Sequence, residues 1–430
     1  MGERSNWGGG TEHIGLRTND ARHHTYIVGK TSSGKSTLLR NLILQHIEMG
    51  HGVGVIDPHG DLADSLLDHL PPWRAYHLCY FNPGDVEHPV SLNVLGNIPA
   101  DERNLVASGI VGAFKNIWPE SWGPRMEYIF QNAVAALAEC QNSTLLGVNL
   151  MLTDDAYRRW VVKQVKDPFI REFWEREFEG YDARFRREAI APIQNKLGAF
   201  LQSPIIRNIL GQVRSRLSIP FIMDHQRIFI ANLSKGKLGH DKAGLLGSLL
   251  VSQFQLAAMK RSGQPEEQRR DFYLFIDEFQ NFTTEAFAGM LSEARKYRLC
   301  LTLAHRFTDQ LSPTVRSGIF GNVGTLVAFR VGFNDGEILH NEFGRDFETH
   351  QFVDLNRYET FTRPYEDGGT PVAFRMTIHP PMGNWKGRRN KLVDLSRERF
   401  SQPVRWWRSV CGDGWRMDEV WLPNSVDGNS

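Results

Sequence analysis

The sequence lacks the features of disulfide-stabilised, zinc-binding or strongly basic proteins. It has only 4 cysteines in 430 residues, and they are scattered, with no CxxC or Cys/His spacing: Cys79, Cys140, Cys300 and Cys411. A disulfide framework and a zinc site are therefore not expected. The 50 Lys and Arg residues balance 49 Asp and Glu residues to a formal net charge of +1. Since no field of the whole protein would attract nucleic acid, any DNA contact must come from a local basic surface.

The sequence also lacks a segment that predicts membrane targeting or insertion. Its first residues, MGERSNWGGGTEH, contain no apolar run, and position 6 is Asn where a myristoylation site requires Ser or Thr. The most apolar long stretch, residues 243–259, is interrupted by four serine and glutamine residues and flanked by Lys242 and Lys260. At about 17 residues it is shorter than the roughly 20 that a spanning helix needs. We therefore predict a buried helix of a soluble domain here.

A glycine-rich segment between a predicted strand and a predicted helix has the composition of a phosphate-binding loop. Residues 29–36, GKTSSGKS, match G-x-x-x-x-G-K-[ST] at every fixed position. The glycines let backbone N–H groups approach phosphate oxygens, the lysine supplies a cation to the β and γ phosphates, and the last hydroxyl can bind Mg²⁺. The following helix offers its N-terminal N–H groups to the anion. We therefore predict nucleotide binding by Gly29, Lys30, Thr31, Ser32, Ser33, Gly34, Lys35, Ser36 and Thr37.

A second motif supplies two carboxylates at the end of a predicted buried strand. Residues 272–276, FYLFI, are followed by Asp277 and Glu278. Open α/β sheets carry their sites at the carboxyl ends of strands, where this pair is expected to lie. Asp277 is predicted to hold Mg²⁺, with Ser36 as the other ligand. Glu278 is predicted to orient and deprotonate the water that attacks ATP.

The pattern along the chain predicts an α/β protein with a helical region inserted into a mostly parallel sheet. Apolar runs typical of strands covered on both faces occur at 25–28, 52–56, 227–233, 272–276, 300–304 and 325–329. Long helical patterns with recurring tryptophans lie between them. The predicted units are a flexible lead-in at 1–20, a nucleotide-binding domain in two parts at 21–100 and 213–400, an all-α insert at 101–212, and a C-terminal tail at 401–430.

The chain resembles the conjugative coupling-protein ATPases of type IV secretion, the TraD/TraG group, and more distantly the HerA/FtsK class of DNA pumps. The resemblance extends over roughly residues 15–345. The two nucleotide motifs are shared by many ATPases, and the helical insert in this position narrows the resemblance to this group. The segments that carry the resemblance are HHTY at 23–26 before the phosphate loop, VIDPHGDL at 55–62, SWGPR at 121–125, APIQNKL at 191–197, NLSKG at 232–236, Asp277-Glu278, LSEARKY at 291–297 and Ala304-His305.

This resemblance implies a RecA-like P-loop NTPase that works as a ring, usually a hexamer, with ATP and Mg²⁺ between subunits and DNA, here single-stranded, passing through the middle. It implies a relaxase and type IV secretion components as partners. The location would be cytoplasmic, with association to the inner face of the membrane through partners. By position after the acidic pair, Arg295 is the candidate arginine finger supplied to the neighbouring subunit, with Lys296 adjacent and Arg330 in reserve.

Two features depart from that group and keep other functions open. Arg306 follows Ala304-His305, where the group commonly has a glutamine that senses the γ-phosphate. Coupling proteins also usually carry N-terminal membrane helices, which this sequence does not show. The alternatives are a HerA-type helicase or translocase in DNA processing or phage defence, and an adaptor that uses nucleotide as a switch to recruit a relaxase–DNA complex.

Two basic clusters are candidates for DNA contact. Residues 157–187 contain nine arginines and lysines interleaved with aromatic residues, as suits single-strand binding, but six acidic residues among them also fit an ion-paired helical surface. The shorter cluster comprises Lys386, Arg388, Arg389 and Lys391. Neither cluster decides the question by itself.

Overall fold

A computed structural model describes residues 1–5, 10–367, 369 and 372–404. Of the predicted C-terminal tail at 401–430, the part from 405 onward, including Cys411, lies outside the described residues. Eleven strands in the described part form one sheet, in the spatial order β2-β1-β11-β10-β9-β3-β8-β7-β4-β6-β5. In chain order, β1 to β11 are Gly2–Ser5, Thr11–Ile14, Thr25–Val28, Gly52–Asp57, Leu78–Phe81, Ile228–Asn232, Phe272–Asp277, Leu299–His305, Thr325–Ala328, Glu359–Arg363 and Phe374–Ile378.

Helices cover both faces of this sheet. In the described part of the chain, one π-helical segment spans Phe173–Phe178, and short 3-10 segments such as Pro72–His77 join several of the elements. In chain order, α1 to α18 are Thr18–Ala21, Lys35–Glu48, Asp61–His69, Arg103–Ile117, Pro124–Glu139, Gly147–Thr153, Asp155–Val162, Pro168–Glu172, Ala183–Leu201, Pro204–Leu210, Ile219–Asp224, Lys235–Leu238, His240–Lys260, Glu285–Glu293, Pro313–Asn322, Phe333–Glu342, Thr349–Val353 and Arg389–Phe400.

The central strands are parallel, and this arrangement places the predicted site. From β9 to β5, every neighbouring pair runs parallel, so the carboxyl ends of these strands share one edge of the sheet. The phosphate loop leaves β3 at this edge, and the acidic pair lies at the end of β7. Strand β8 lies between β3 and β7 and ends at His305, so Arg306 emerges between the two predicted motifs.

Two apolar cores lie on opposite faces of the sheet because the strand side chains alternate between them. Val53 and Val55 of β4 face the core under α2 and α3, whereas Ile56 faces the core under α13. The second core runs without a break into the helices between 101 and 212, where α4 packs on α13. Burial of side chains along this continuous core is the main stabilising contribution to the attachment of the helical region.

The first twenty residues differ from the flexible lead-in that the sequence predicts. Strand β1 pairs with both β2 and β11 in antiparallel register, and the Met1 side chain is buried. A Cβ at Gly2 would lie 2.3 Å from the Thr377 carbonyl oxygen, so glycine permits this close approach. The prediction was wrong because the partner strand, β11, lies more than 350 residues away in the sequence and leaves no local signal. Residues 6–9 of this segment lie outside the described residues.

The predicted buried helix at 243–259 is confirmed as part of α13, His240–Lys260, which is buried along much of its length. Within the described ranges, none of the helices is long and apolar enough to cross a membrane.

His24, which precedes β3, predicts a loss of stability in mild acid. Its ring is buried, its Nε2 bonds the Leu291 carbonyl oxygen at 3.1 Å, and its Nδ1 accepts from the Leu301 N–H at 3.1 Å. Burial lowers the pKa of His24 to about 4. Since the unfolded chain binds this proton near pH 6.5 and the folded chain does not, the stability is complete above pH 6.5 and falls as pH drops toward 4. Between pH 7.5 and pH 5.5 we expect this residue to account for a loss on the order of 1 kcal/mol.

Urea unfolding of the wild type and His24→Gln at the two pH values measures this contribution. The variant should lose less stability than the wild type on acidification, by roughly that amount. The exposed His225 supplies the control, because His225→Gln should leave the pH dependence unchanged. An equal pH dependence in His24→Gln and the wild type would contradict the prediction.

Candidate functional site

The phosphate loop has the backbone geometry that its glycines predict. It connects β3 to α2, and Gly34 has a backbone φ of +123°, a value that residues other than glycine rarely adopt. A Cβ at Gly29 would lie 2.5 Å from the Phe329 Cβ, and one at Gly34 would lie 2.9 Å from the Tyr358 ring. Both glycines are therefore required by packing as well as by the turn. The first residues of α2, Lys35, Ser36 and Thr37, line the cleft at the carboxyl edge of the sheet.

Lys35 is the buried cation of this loop. Its ammonium donates to the carbonyl oxygen of Gly29 and has no ion-pair partner among the residues described. Burial lowers the pKa of Lys35, and the nearby charges of Glu278 and Asp277 partly offset that effect. A buried ammonium that bonds only a backbone carbonyl can exchange this bond for a stronger one to a phosphate oxygen. The neighbouring Ser36 is exposed to the cleft.

Asp277 and Glu278 lie at the carboxyl end of β7, as the sequence predicts, and both are buried. Burial, reinforced by the charges of Asp57 and Glu278, raises the pKa of Asp277 to about 7. Asp57, at the end of β4, is fully buried and caps the start of α3 by accepting from the His59 and Ala63 N–H groups. Carboxylates crowded in this way favour a cation between them, because a cation stabilises their ionised forms.

Glu278 is held in a strained backbone conformation with both carboxylate oxygens bonded. Its φ is +46°, in the left-handed region that non-glycine residues seldom occupy. Arg306 donates from Nε to Oε1 at 2.8 Å, and Gln280 donates from Nε2 to Oε2 at 2.8 Å. The structure thus places Arg306 in an ion pair with the predicted base of its own subunit. Each of these oxygens keeps a second acceptor site, through which Glu278 can still bond a water molecule.

The motifs line one cleft of about 470 Å³, within the range of small-molecule sites. Seven of the nine predicted phosphate-binding residues line it, with Asp277 and Glu278; Gly29 and Ser33 lie behind this surface. Sequence reasoning assigned no role at this site to eight further lining residues: Arg40, Asp57, His59, Asp61, Leu62, Ser65, Arg357 and Tyr358. Asp57 and His59 follow the end of a predicted strand, a position that could have indicated them.

Arg357 and Tyr358 reach the cleft from the loop before β10. The Tyr358 N–H donates to the Ser33 carbonyl oxygen at 2.8 Å, and the Arg357 guanidinium lies 4.6 Å from the centre of the Tyr358 ring. A backbone φ of +70° at Tyr358 keeps its ring against Gly34. These contacts join residues more than 300 positions apart. Arg357 and Tyr358 belong to no recognisable motif, and sequence reasoning therefore missed them.

The predicted finger, Arg295, does not reach the phosphate loop of its own subunit. It precedes β8, its Nη1 lies 3.1 Å from the His23 Nδ1, and its side chain is exposed at the amino ends of the strands. The reserve candidate, Arg330, follows β9 at the opposite, carboxyl edge, where its carbonyl oxygen accepts from the Lys30 N–H at 2.8 Å. If Arg295 contacts a nucleotide, the nucleotide must be bound to another subunit.

Several cations of the two predicted basic clusters are held in ion pairs. Arg158 is buried between Asp155 and Glu179, while Arg176 and Arg184 pair with glutamates one helical turn away. In the second cluster, Arg389 pairs with Asp64 and Asp68. For the first cluster, these contacts favour the ion-paired surface over the DNA-binding one. In the second cluster, they neutralise Arg389, its central cation.

Comparisons with known proteins agree with this geometry. Residues 8–106 match the family model described as the central domain of the helicase HerA, whereas no curated protein matches. The plasmid coupling protein TrwB with ADP and Mg²⁺ superimposes with a TM-score of 0.59 and 15% identity, covering 90% of this chain and 95% of that chain. TrwB with a non-hydrolysable GTP analogue gives a TM-score of 0.59 and 16% identity, covering 87% and 89%.

A second kind of protein has the same architecture. VirB4 of Thermoanaerobacter pseudethanolicus superimposes with a TM-score of 0.54 and 14% identity, covering 87% of this chain and 95% of that chain. Identities this low establish the fold alone. The comparisons confirm the resemblance stated from the sequence: this chain has the RecA-like P-loop fold of the conjugative coupling ATPases, with a mostly parallel sheet and an inserted helical region.

Proposed function

We propose that this chain is the ATP-hydrolysing motor of a conjugative type IV secretion coupling protein, which moves DNA through a ring of its subunits. The observation that carries the proposal is the meeting of Lys35, Asp277 and Glu278 in one cleft at the carboxyl edge of the sheet. A lysine on a phosphate loop and a buried acidic pair on a neighbouring element form the minimal machinery of phosphoryl transfer. TrwB structures, which hold ADP with Mg²⁺ and an ATP analogue, support ATP and Mg²⁺ here.

The available oxygen ligands fit a magnesium ion. Ser36 presents an exposed hydroxyl at the start of α2, and Asp277 presents a carboxylate that burial makes costly to ionise without a cation. Mg²⁺ bound here would neutralise charge on the β and γ phosphates. Lys35 would exchange the Gly29 carbonyl for phosphate oxygens, and the phosphate-loop N–H groups would hold the nucleotide in place.

Glu278 would act as the general base. It orients a water molecule toward the γ-phosphorus and takes one proton from it as the new P–O bond forms and the bond to the β-phosphate oxygen breaks, which releases ADP and phosphate. Arg306 holds Glu278 in the nucleotide-free site. Phosphate oxygens that arrive beside Arg306 compete for its guanidinium, and this competition weakens the ion pair and makes the carboxylate a stronger base.

Hydrolysis measured against protein concentration, with and without DNA, tests this function. We expect the rate per subunit to rise with protein concentration, because the site is completed by a neighbour, and to rise further with DNA. Lys35→Ala, which removes the phosphate cation, should lower the rate about 10²-fold or more. A rate that ignores both concentration and DNA would contradict the ring translocase. Full hydrolysis by Lys35→Ala would contradict the site.

Two other functions each have an observation in their favour. The match of residues 8–106 to the HerA central domain favours a helicase or translocase in DNA processing, and strand separation of a duplex would identify it. The pairing of both Glu278 oxygens favours an adaptor that binds nucleotide as a switch. ATP binding without hydrolysis under any condition would identify the adaptor.

A further inference from the structure

A cationic, aromatic surface lies at the edge of the sheet opposite the nucleotide cleft. It is formed by the segment Pro72–His77 before β5, the end of α11 before β6, and the end of α18. We call it the arginine–aromatic surface and define it by Trp73, Tyr76, Phe221, Arg227 and Arg399. No motif in the sequence points to it, and the proposed hydrolysis does not use it.

Among the described residues, no carboxylate forms an ion pair with the arginines of this surface. Arg227 Nη1 lies 3.4 Å from the Tyr76 carbonyl oxygen, and Arg399 Nη1 donates to the same atom. Beneath them the buried Arg74 donates to the carbonyl oxygens of Gly50, His51 and Gln226. In the described part of the chain, none of these three arginines forms an ion pair with an acidic side chain, so three guanidinium charges remain concentrated here.

The titration of neighbouring groups reflects this concentration of charge. Burial first, and then the charge of Arg227, lowers the pKa of Arg74 to about 10. Burial also lowers the pKa of His77, and the charges of Arg74, Arg227 and Arg399 lower it further. Arg389 and Arg397, on the same helix as Arg399, are paired with Asp68 and Asp85 respectively. Arg399 differs from these two arginines because its recorded partner is a backbone carbonyl oxygen and not a carboxylate.

Three large aromatic side chains stand exposed among these cations. Trp73, Tyr76 and Phe221 are 56%, 66% and 40% exposed. The Phe221 ring stacks on His225 at 4.1 Å, and the Arg227 guanidinium lies 5.5 Å from the centre of the same ring. Arg74 lies 5.4 Å from the Trp73 ring centre. Aromatic faces therefore alternate with guanidinium groups, instead of joining into one apolar patch.

We propose that the arginine–aromatic surface binds single-stranded nucleic acid, with phosphates on Arg227 and Arg399 and bases stacked on Trp73 and Tyr76. Each nucleotide of a single strand carries a phosphate charge and a flat base. The surface offers arginines for the phosphates and aromatic rings for the bases. The alternation of rings and charges suits that polymer better than a membrane, which would require a contiguous apolar face. This inference relies on the proposed function only to identify nucleic acid as the class of partner. Since the nucleotide cleft is at the other edge, DNA and ATP would not compete.

Fluorescence anisotropy of a labelled oligothymidylate of about 20 nucleotides, titrated with the full chain at several salt concentrations, tests the proposal. The paired variant Arg227→Ser/Arg399→Ser removes two phosphate contacts and should reduce the slope of log affinity against log salt by about 1.4. Trp73→Ala and Tyr76→Ala should each weaken binding about fivefold or more. Arg227→Lys/Arg399→Lys retains the charges and should retain the salt slope, which also controls for misfolding.

The chain offers matched controls in the inserted helical region. Arg184, which pairs with Glu188, is an arginine away from the surface, and Phe169, which is 80% exposed, is an exposed aromatic residue away from it. Arg184→Ser and Phe169→Ala should leave binding unchanged. Hydrolysis without DNA should stay at the wild-type level in every surface variant, so failure of this inference is distinguishable from failure of the ATPase site.

Two results would overturn the inference. One is wild-type affinity and salt slope in Arg227→Ser/Arg399→Ser, whether or not ATP is hydrolysed. The other is binding of vesicles rich in phosphatidylserine that these substitutions abolish while oligonucleotide binding persists. The second result would assign the surface to a membrane.

Discussion

Replacing Arg295 by alanine is expected to lower ATP hydrolysis by about 10³–10⁵-fold, the range measured for arginine fingers in other phosphoryl-transfer enzymes. The physical reason is that a guanidinium facing the γ-phosphate neutralises charge that spreads over its oxygens in the transition state. Arg295 is exposed at the amino edge of the sheet and bonds His23 there, far from the phosphate loop of its own subunit. It can therefore act only on nucleotide bound to a neighbour.

Mixing two inactive variants tests this directly. A Lys35→Ala subunit cannot bind phosphate well but still carries Arg295, whereas an Arg295→Ala subunit has an intact cleft and no finger. When the two are mixed, some interfaces join an intact cleft to an intact finger, so hydrolysis should reappear. The measurement is the steady-state rate against the mixing ratio, which should peak at an intermediate ratio.

Neighbouring cations provide the controls for Arg295. Lys296→Ala, which removes an adjacent exposed charge, should leave the rate within about twofold, as for surface charges away from a site. Arg330→Ala tests the reserve candidate at the other edge. If Arg330→Ala is inactive by itself and regains activity when mixed with Lys35→Ala, while Arg295→Ala does not, the role belongs to Arg330. Full activity of Arg295→Ala by itself would exclude the finger.

Replacing Glu278 by glutamine is expected to lower hydrolysis about 10²–10⁴-fold while nucleotide binding is retained, since the amide cannot accept the proton of the attacking water. The substitution keeps the size of the side chain and its position on the strained turn after β7. It also dissolves the ion pair with Arg306, whose guanidinium becomes available to phosphate oxygens. ATP affinity should therefore equal or exceed that of the wild type.

Single-turnover hydrolysis and titration with a fluorescent ATP analogue separate these two effects. Glu267→Gln is the matched control, because Glu267 is an exposed glutamate on the loop before β7 and should have no effect on either measurement. Wild-type hydrolysis in Glu278→Gln would remove Glu278 as the base. A parallel loss of binding and hydrolysis would mean that Glu278 organises the cleft and does not act as the base.

The sequence by itself determined the parts of this protein that depend on neighbouring residues. The phosphate loop, the acidic pair after a buried run, and the six predicted strands are all found where their local patterns place them. These signals are strong because each one is a short-range requirement: a glycine where the backbone turns, an apolar run where a strand is covered on both faces, and a carboxylate where that strand ends.

Only the tertiary structure decided the features that join distant parts of the chain. It paired Arg306 with Glu278 across adjacent strands, brought Tyr358 onto the phosphate loop, and completed the sheet with β1. It also placed Arg295 at the edge away from the cleft and gathered three arginines that have no acidic partner among the residues the structure describes. Such features follow from the order and register of strands, which long-range packing selects and local sequence does not encode.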